Sequence, residues 1–416
     1  MKTFTCAFYV ATFAAFSTLP LNAYEDYEPY QYHDHLTGNW GGVRTELAND
    51  GVELFGYYNA IFASNVAGGI RSESNYAGDA FAGVQFDMEK IADWKDWTID
   101  VSGIYRHGSD ITPAVGSQYS VMQLVGGQTI FLYNVTAEKT FFDGDLSFKA
   151  GRMTATDDFV GSPFYSYSLN NAVNGQIRAV LFDGVMTSYP FAVWGGRVQG
   201  IVDDEHTFRL GLFQLTQEMW DPSHHGVDFS IDSGDGVSIF AQYDWTPELD
   251  GKPFRLFVGL NQTFAFDMPQ FGSTNTTDEF TRFYGGVDYQ VYRESPDRDE
   301  GLTLFLTFAY TDQEEVAIVP IQSSFGAHYK GLLPDRPDDR LVTFFTYGQF
   351  SDDYSDSLVA GGGSSVDNEM VFEIGYRIAV TDAAYIQPDL QYVINPGGTG
   401  NIGNATVLGV QFGASF

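Results

Sequence analysis

The chain has 416 residues with 54 acidic and 21 basic side chains, a net charge of −33 that excludes nucleic acid as a partner. Cys6 is the single cysteine, so no disulfide staples the product and no thiolate is available as ligand or nucleophile once the leader is removed. Phe (36), Tyr (25) and Gly (45) are abundant, yet mean hydropathy is slightly negative. That mixture suits strands with a greasy, aromatic-ringed outer face and a polar inner face.

The N-terminus carries Lys2, an apolar stretch from Cys6 to Pro20, and Leu21-Asn22-Ala23, the layout of a secretory signal peptide over residues 1–23 cut after Ala23. A membrane anchor would need about 20 apolar residues; this stretch is shorter and holds Thr12, Ser17, Thr18 and Pro20. Residues 24–50 then read as an N-terminal periplasmic segment. Val43 and Leu47, spaced i, i+4, suit a short helix there, with Gly51 as its stop.

From residue 51 to 416 the pattern is that of one all-β unit. No run of 18 apolar residues occurs outside the leader, so a membrane crossing must use a closed sheet. Trp97, Ile99, Val101, Gly103 and Tyr105 alternate with Thr98, Asp100, Ser102, Ile104 and Arg106. Val237, Ile239, Ala241, Tyr243 and Trp245 alternate with Ser238, Phe240, Gln242 and Asp244, and Leu302, Leu304, Leu306, Phe308 and Tyr310 with Thr303, Phe305, Thr307 and Ala309. Met370, Phe372, Ile374, Tyr376, Ile378 and Val380 alternate with Glu369, Val371, Glu373, Gly375, Arg377 and Ala379.

Such segments predict sixteen strands near 53–66, 78–90, 96–106, 127–140, 145–153, 184–200, 206–218, 236–246, 253–265, 281–293, 301–312, 322–330, 340–351, 368–380, 383–394 and 404–416. Connectors alternate between short, as at Thr381-Asp382, and long, as at 107–126 and 154–183. The expectation is a transmembrane antiparallel up-and-down β-barrel with short periplasmic turns and long external loops. The last strand ends on Phe416, a terminal aromatic that resembles the recognition signal for the barrel-assembly machinery of a Gram-negative outer membrane.

Acidic clusters at Asp203-Asp204-Glu205, Asp338-Asp339 and Asp352-Asp353 read as solvated loops, or as sites for divalent cations that bridge lipid phosphates. His33-Asp34-His35 and His224-His225 carry metal-binding residue types, but no third ligand is visible in either stretch. Asp232-Ser233-Gly234-Asp235-Gly236 lacks the terminal Glu of a calcium loop and reads as a tight turn. No Gly-x-Ser-x-Gly motif and no His beside a nucleophile on a strand face point to an enzyme, and no cofactor is expected.

Four stretches in order carry a family resemblance: Leu36-Thr37-Gly38-Asn39-Trp40-Gly41-Gly42-Val43-Arg44-Thr45-Glu46-Leu47 before Gly51-Val52; Lys149-Ala150-Gly151-Arg152-Met153 before Asp157-Asp158-Phe159; Gly331-Leu332-Leu333-Pro334 through Arg340 into Tyr347-Gly348-Gln349-Phe350-Ser351; and Tyr385-Ile386-Gln387-Pro388-Asp389-Leu390-Gln391-Tyr392-Val393-Ile394-Asn395-Pro396-Gly397-Gly398. Together they resemble the carbohydrate-selective porin (OprB) family across nearly the whole mature chain. The resemblance implies a sixteen-stranded outer-membrane pore for sugars, narrowed by inward loops and charged side chains. Outer-membrane lipid and lipopolysaccharide would surround it, and a homotrimer is the state that porins of this size often adopt. Family members with a glucose-type pore have an Arg-lined constriction, whereas this chain is poor in basic residues. A general cation-preferring porin is therefore the alternative function.

A sugar-selective lumen should combine charged and amide groups for paired hydroxyls with aromatic faces for C–H surfaces. The inward parity offers Glu373 and Arg377 on one strand and Tyr385, Gln387, Asp389 and Gln391 on the next. Arg106, Arg152 and Arg178 lie at or just beyond strand ends before the long connectors, and the family-like stretch adds Asp157 and Asp158. These are the pore-lining or constriction candidates. Arg152 shares the outward parity of Leu146, Phe148 and Ala150, so it reaches the lumen only if a bulge or a strand end intervenes.

Overall fold

The computed structural model describes residues 35–182, 186–216, 218–296 and 298–416. Sixteen long strands among them form one antiparallel sheet: β1 (Val52–Ala67), β2 (Glu73–Asp87), β3 (Trp97–Gly108), β4 (Ile130–Phe141), β5 (Leu146–Met153), β6 (Val193–Asp203), β7 (His206–Leu215) and β8 (Gly236–Trp245). There follow β9 (Lys252–Phe264), β10 (Phe280–Arg293), β11 (Gly301–Tyr310), β12 (Ile321–Lys330), β13 (Arg340–Gln349), β14 (Asn368–Thr381), β15 (Ala384–Ile394) and β16 (Ala405–Ser415). Each strand pairs with its sequence neighbour, and β1 closes the barrel on β16 from Tyr57↔Ser415 to Ala67↔Thr406. Closure leaves no edge strand, as an apolar surrounding requires. No helix among the described residues is long and apolar enough to cross a membrane.

Alternation inverts the usual burial of a soluble protein. Phe208, Leu210 and Leu212 of β7 and Leu304, Leu306 and Phe308 of β11 are exposed on the outer face, whereas Thr207, Arg209, Thr303 and Thr307 between them are buried inside. The period-two pattern thus located all sixteen strands. Boundaries moved by a few residues in several strands, β2 starting five residues before the expected 78, and by most in one: residues 186–192, expected within a strand over 184–200, belong to a loop, and β6 begins at Val193. Pro190 has no N–H for a ladder. Met186 and Thr187 are instead fully buried, with Thr187 Oγ1 accepting from Ala155 N at 2.9 Å.

The N-terminal helix α1 (Val43–Asn49) lies against the start of β1: Arg44 Nη1 donates to Leu54 O at 2.9 Å, and Lys90 Nζ to Ala48 O at 2.9 Å. Leu36 N bonds Ser415 O at 2.9 Å, tying this segment to the end of the last strand. Residues 1–23, expected to be a signal peptide, and His33-Asp34 fall outside the described residues. The turn at 232–236 is closed by Asp235 N to Asp232 O at 3.1 Å and Asp232 N to Asp235 Oδ2 at 2.9 Å, which uses its carboxylate internally.

Two acidic clusters serve local structure. Asp352 and Asp353 sit in the first turn of α2 (Asp352–Ala360), whose Ser351 cap accepts from Tyr354 N at 3.1 Å, where negative charge is favoured. Asp339 is buried in the β12–β13 turn, receiving Arg336 (2.6 and 2.9 Å), Tyr376 OH (3.0 Å) and Ala379 N (3.0 Å).

Candidate functional site in the barrel lumen

Two long connectors turn inward and fill much of the barrel. The first, 109–129, buries Ile111, Val115, Tyr119, Val121 and Met122; the second, 154–192, buries Phe159, Tyr165, Tyr167, Val173, Ile177 and Val180. The wall beneath the second loop is aromatic on its inner face: Phe213 (β7), Phe240 (β8), Phe257 (β9), Tyr284 (β10), Phe305 (β11) and Phe344 (β13) join it in one apolar cluster. The lumen therefore contains a hydrophobic core of its own. Gly348 makes room for it, since a Cβ there would stand 2.1 Å from Tyr119 Oη.

The second loop begins on a charge ladder that spans β4 to β10. Glu138 accepts from Arg197 at 3.0 Å, Arg197 Nε donates to Asp158 Oδ1 at 3.1 Å, and Lys149 Nζ reaches Asp158 Oδ2 at 2.6 Å. Asp244 takes Arg209 Nη1 at 2.6 Å and Gln242 Nε2 at 2.8 Å on one oxygen, and Arg255 Nε and Nη2 at 2.8 and 2.6 Å on the other. Arg255 Nη1 also donates to Gly161 O at 3.1 Å and Ser162 Oγ to Asp288 Oδ2 at 2.9 Å, so the loop backbone is clamped to the ladder. Desolvated charges persist inside a barrel when each is paired and hydrogen-bonded in this way.

The loop then crosses to β13–β15. Glu373 accepts from Ser168 Oγ and Leu169 N, both at 2.5 Å, and from Asn170 N at 3.4 Å. Gln387 Nε2 donates to Tyr167 O at 2.7 Å, and Gln391 Nε2 to Val121 O of the first loop at 3.0 Å. Arg377 donates to Ser166 O at 3.2 Å and to Gln387 Oε1 at 2.7 Å, with its guanidinium 4.3 Å over Tyr167 and 4.0 Å over Tyr385. Tyr385 OH reaches Asn59 Oδ1 at 3.1 Å, and Asp389 is buried beside Glu373. Four residues earlier on the same face of β14, Glu369 holds the first loop through Ser117 Oγ (2.5 Å), Gln118 N (2.9 Å) and Tyr119 N (3.2 Å).

The remaining candidates divide. Asp158 is in the ladder; Asp157 keeps some exposure and is bonded by Tyr133 OH and by Thr154 Oγ1 at 2.9 Å. Arg106 is buried 3.9 Å from Asp79, its Nη1 donating to Gly126 O at 2.9 Å, with Tyr189 at 4.9 Å. Arg178, half-buried on the second loop, sits 5.1 Å over Phe182. Arg152 leaves the set. It pairs across β5–β6 with the exposed Trp194, on the lipid-facing parity, and its guanidinium donates to Asp228 O and, at 2.6 Å, to Ala192 O. No bulge turns it inward, so it braces the 216–235 loop.

Along β1–β4 the inner wall is different. Glu53, Gln85 and Asp100 are cross-strand neighbours in register, Asp100 continues to Thr136, and Glu138 lies opposite Thr98. Glu53, Gln85, Asp100 and Glu138 all retain solvent exposure, and Phe55 stands half-buried beside them, 5.8 Å from Phe81. Sequence reading did not single out this belt, although Asp100 and Thr98 lay on the polar parity of a recognised strand. What it lacked was the knowledge of which wall the loops would cover.

The carbohydrate-selective porin, OprB family model matches residues 71–416. Porin B of Pseudomonas aeruginosa is 25% identical, over 92% of this chain and 91% of its own length. Among solved structures, the high-pH structure of Pseudomonas putida OprB superposes with a TM-score of 0.86 at 24% identity, covering 94% of this chain and 99% of that one. The low-pH structure of the same protein gives 0.61 at 20% identity, covering 92% and 98%. With the match running from the β1–β2 turn through β16, the chain belongs to the carbohydrate-selective porin, OprB family.

Proposed function

We propose that this chain is an outer-membrane channel through which carbohydrates and other small hydrophilic solutes diffuse, along a passage bounded by the β1–β4 wall on one side and the inward loops on the other. The observation that carries this is the distribution of exposed and covered side chains on the inner face of the barrel. Glu53, Gln85, Asp100 and Glu138 keep exposure in one contiguous inner belt, while the arginine-bearing wall is covered by the second loop. Carboxylate and amide oxygens accept paired sugar hydroxyls, and the half-buried Phe55 offers an apolar face to a pyranose. Liposomes carrying the mature protein should swell in isosmotic mono- and disaccharide at rates that fall with solute size; failure to swell in any sugar overturns the reading.

The belt's charge supports a second reading, a general cation-preferring porin, because all the charged groups named in it are acidic. Millimolar sugar should reduce the ion current through single channels in a planar bilayer. Unaffected current with strong cation preference favours the second reading.

Assembly follows the same logic. The outer face of β1–β6 is rich in small residues, among them Ala80, Ala82, Gly103, Ala150, Gly196 and Gly200, where β7–β12 present Leu and Phe. Small side chains let neighbouring walls approach closely, and we assign this face to a homotrimer contact within lipid and lipopolysaccharide. Phe416, on the strand that closes the barrel, is assigned to recognition by the assembly machinery; deleting it should slow insertion into the membrane.

A further inference from the structure

The family-like stretch from Leu36 to Leu47 builds one side of a cavity that the barrel wall completes. Gly41 and Gly42 hold φ of 70° and 109°, a region closed to most side chains, and fold the chain into a tight turn ahead of α1. Asn39 locks that turn: its Oδ1 accepts from Thr45 N at 3.1 Å and its Nδ2 donates to Thr45 Oγ1 at 2.8 Å. Trp40 Nε1 donates to Thr37 Oγ1 at 3.1 Å, which sets the indole under the Arg44 guanidinium, 4.2 Å from the ring. Between α1 and the first residues of β1 lies a cavity of about 270 Å³, lined by Asn39, Arg44, Thr45, Leu47, Glu53 and Leu54 among others. It sits at the end of the barrel opposite the two inward loops.

Arg44 is held in place on that cavity. The Trp40 ring supports its guanidinium and Leu54 O accepts from Nη1 at 2.9 Å, so the fork is fixed before any ligand arrives. Its Nε is buried with no hydrogen-bond partner among the described residues. Burial pulls the guanidinium below its ordinary range and Glu53 opposes that pull, yet no ion pair joins Arg44 to Glu53 or to another described carboxylate. An acid and a base that line one cavity without closing on each other leave an acceptor and a donor for a ligand. Glu53 disfavours an anion there and Arg44 a cation, which leaves a neutral polyol. Adjacent hydroxyls of a pyranose match the pair, one accepting from Arg44 and the next donating to Glu53. Leu47 and Leu54 add apolar surface for ring C–H groups. The volume falls just under the range of about 300–1,000 Å³ typical of small-molecule pockets, which suits one sugar ring.

We infer that this cavity is a monosaccharide subsite at the mouth of the passage, with Arg44 and Glu53 as its polar clamp and Asn39 and Trp40 as positioning residues. Glu53 belongs to the inner belt as well, where it pairs in register with Gln85. A sugar moving along the belt therefore meets the subsite where it enters or leaves the barrel. The inference rests on the channel reading above and adds to it a side chain from outside the barrel wall.

The test is a glucose titration of the folded mature protein in detergent, read by saturation-transfer NMR on the sugar and by Trp40 emission, taken as the parent signal minus that of Trp40→Phe. Both should saturate together. Arg44→Ala should weaken binding about 10- to 100-fold, as expected for losing a hydrogen bond to a charged group. Arg44→Lys, which keeps the charge and loses the fork, should weaken it too, and Glu53→Gln should weaken it less. Arg71→Ala, in the β1–β2 turn at the other end of the barrel, should bind as the parent does. Sheet content of each variant by circular dichroism separates loss of the site from loss of the fold. A binding curve unchanged in Arg44→Ala, or glucuronate or glucosamine binding as tightly as glucose, overturns the inference. Liposomes of the parent that still swell in glucose in that case leave the channel reading standing, whereas Arg44-dependent binding without swelling in any sugar keeps the subsite and removes the channel.

Discussion

The inner wall of β6–β10 and that of β1–β4 carry charge in contrasting ways. On the first, Arg197, Arg209 and Arg255 are almost wholly buried and each is matched to Asp158 or Asp244; the charges act as mortar between barrel and loop. On the second, Glu53 and Asp100 keep solvent exposure, and Glu138, half-exposed while accepting from Arg197 at 3.0 Å, joins the two walls. Inward-facing charge in a barrel is thus of two kinds, and the proposed passage runs along the second. An excess of acid in composition and a set of arginines in the lumen are compatible because the arginines are already spoken for.

The contrast predicts a graded series of effects. Asp244→Ala leaves Arg209 without its carboxylate and Arg255 with Asp288 alone, at 3.5 Å, a loss of about 3–5 kcal/mol for a broken buried pair; denaturant unfolding in detergent should show it, and conductance should rise as the loop detaches. Glu373→Ala removes the acceptor for Ser168, Leu169 and Asn170. It should cost about 1.5–3 kcal/mol, read as faster proteolysis within 160–180 and noisier single-channel current. Gly226→Ala would put a Cβ 2.1 Å from Leu132 O at a φ of 70°, next to the Leu132 N bond to His225 O at 2.9 Å; a local cost of about 1–3 kcal/mol should appear as faster hydrogen exchange at the Leu132 amide. Smallest in stability is Glu53→Gln with Asp100→Asn. The fold should hold, while the cation-to-anion permeability ratio falls about two- to fivefold, as expected for removing charges worth about 1 kcal/mol in a wet passage.

Strand positions were legible because one periodicity, apolar outward and polar inward, is enforced by lipid on one side alone. The exceptions to that pattern held the remaining information. Ile104, Phe240, Phe305 and Val371 broke the polar parity of their strands, and all four are buried inside against loop or neighbouring wall. They mark where the lumen is packed. Inward placement of Glu373, Arg377, Gln387, Asp389 and Gln391 was readable from alternation, but their engagement with loop backbone was not, since nothing local tells a strand which distant segment will fold over it. Arg152 shows the converse: its parity pointed to the outside, and the family-like stretch around it argued for the lumen. The covalent geometry of the strand prevailed.

The path through the barrel can be tested on a thiol-free background made by Cys6→Ser, since Cys6 is the single cysteine of the sequence. In planar bilayers, Asp100→Cys channels exposed to a bulky cationic thiosulfonate should lose current in discrete steps, while Thr307→Cys, fully buried on the inner face of β11, should be unaffected. Inert Asp100→Cys channels together with block at Thr307→Cys would place the passage on the other wall and contradict the account.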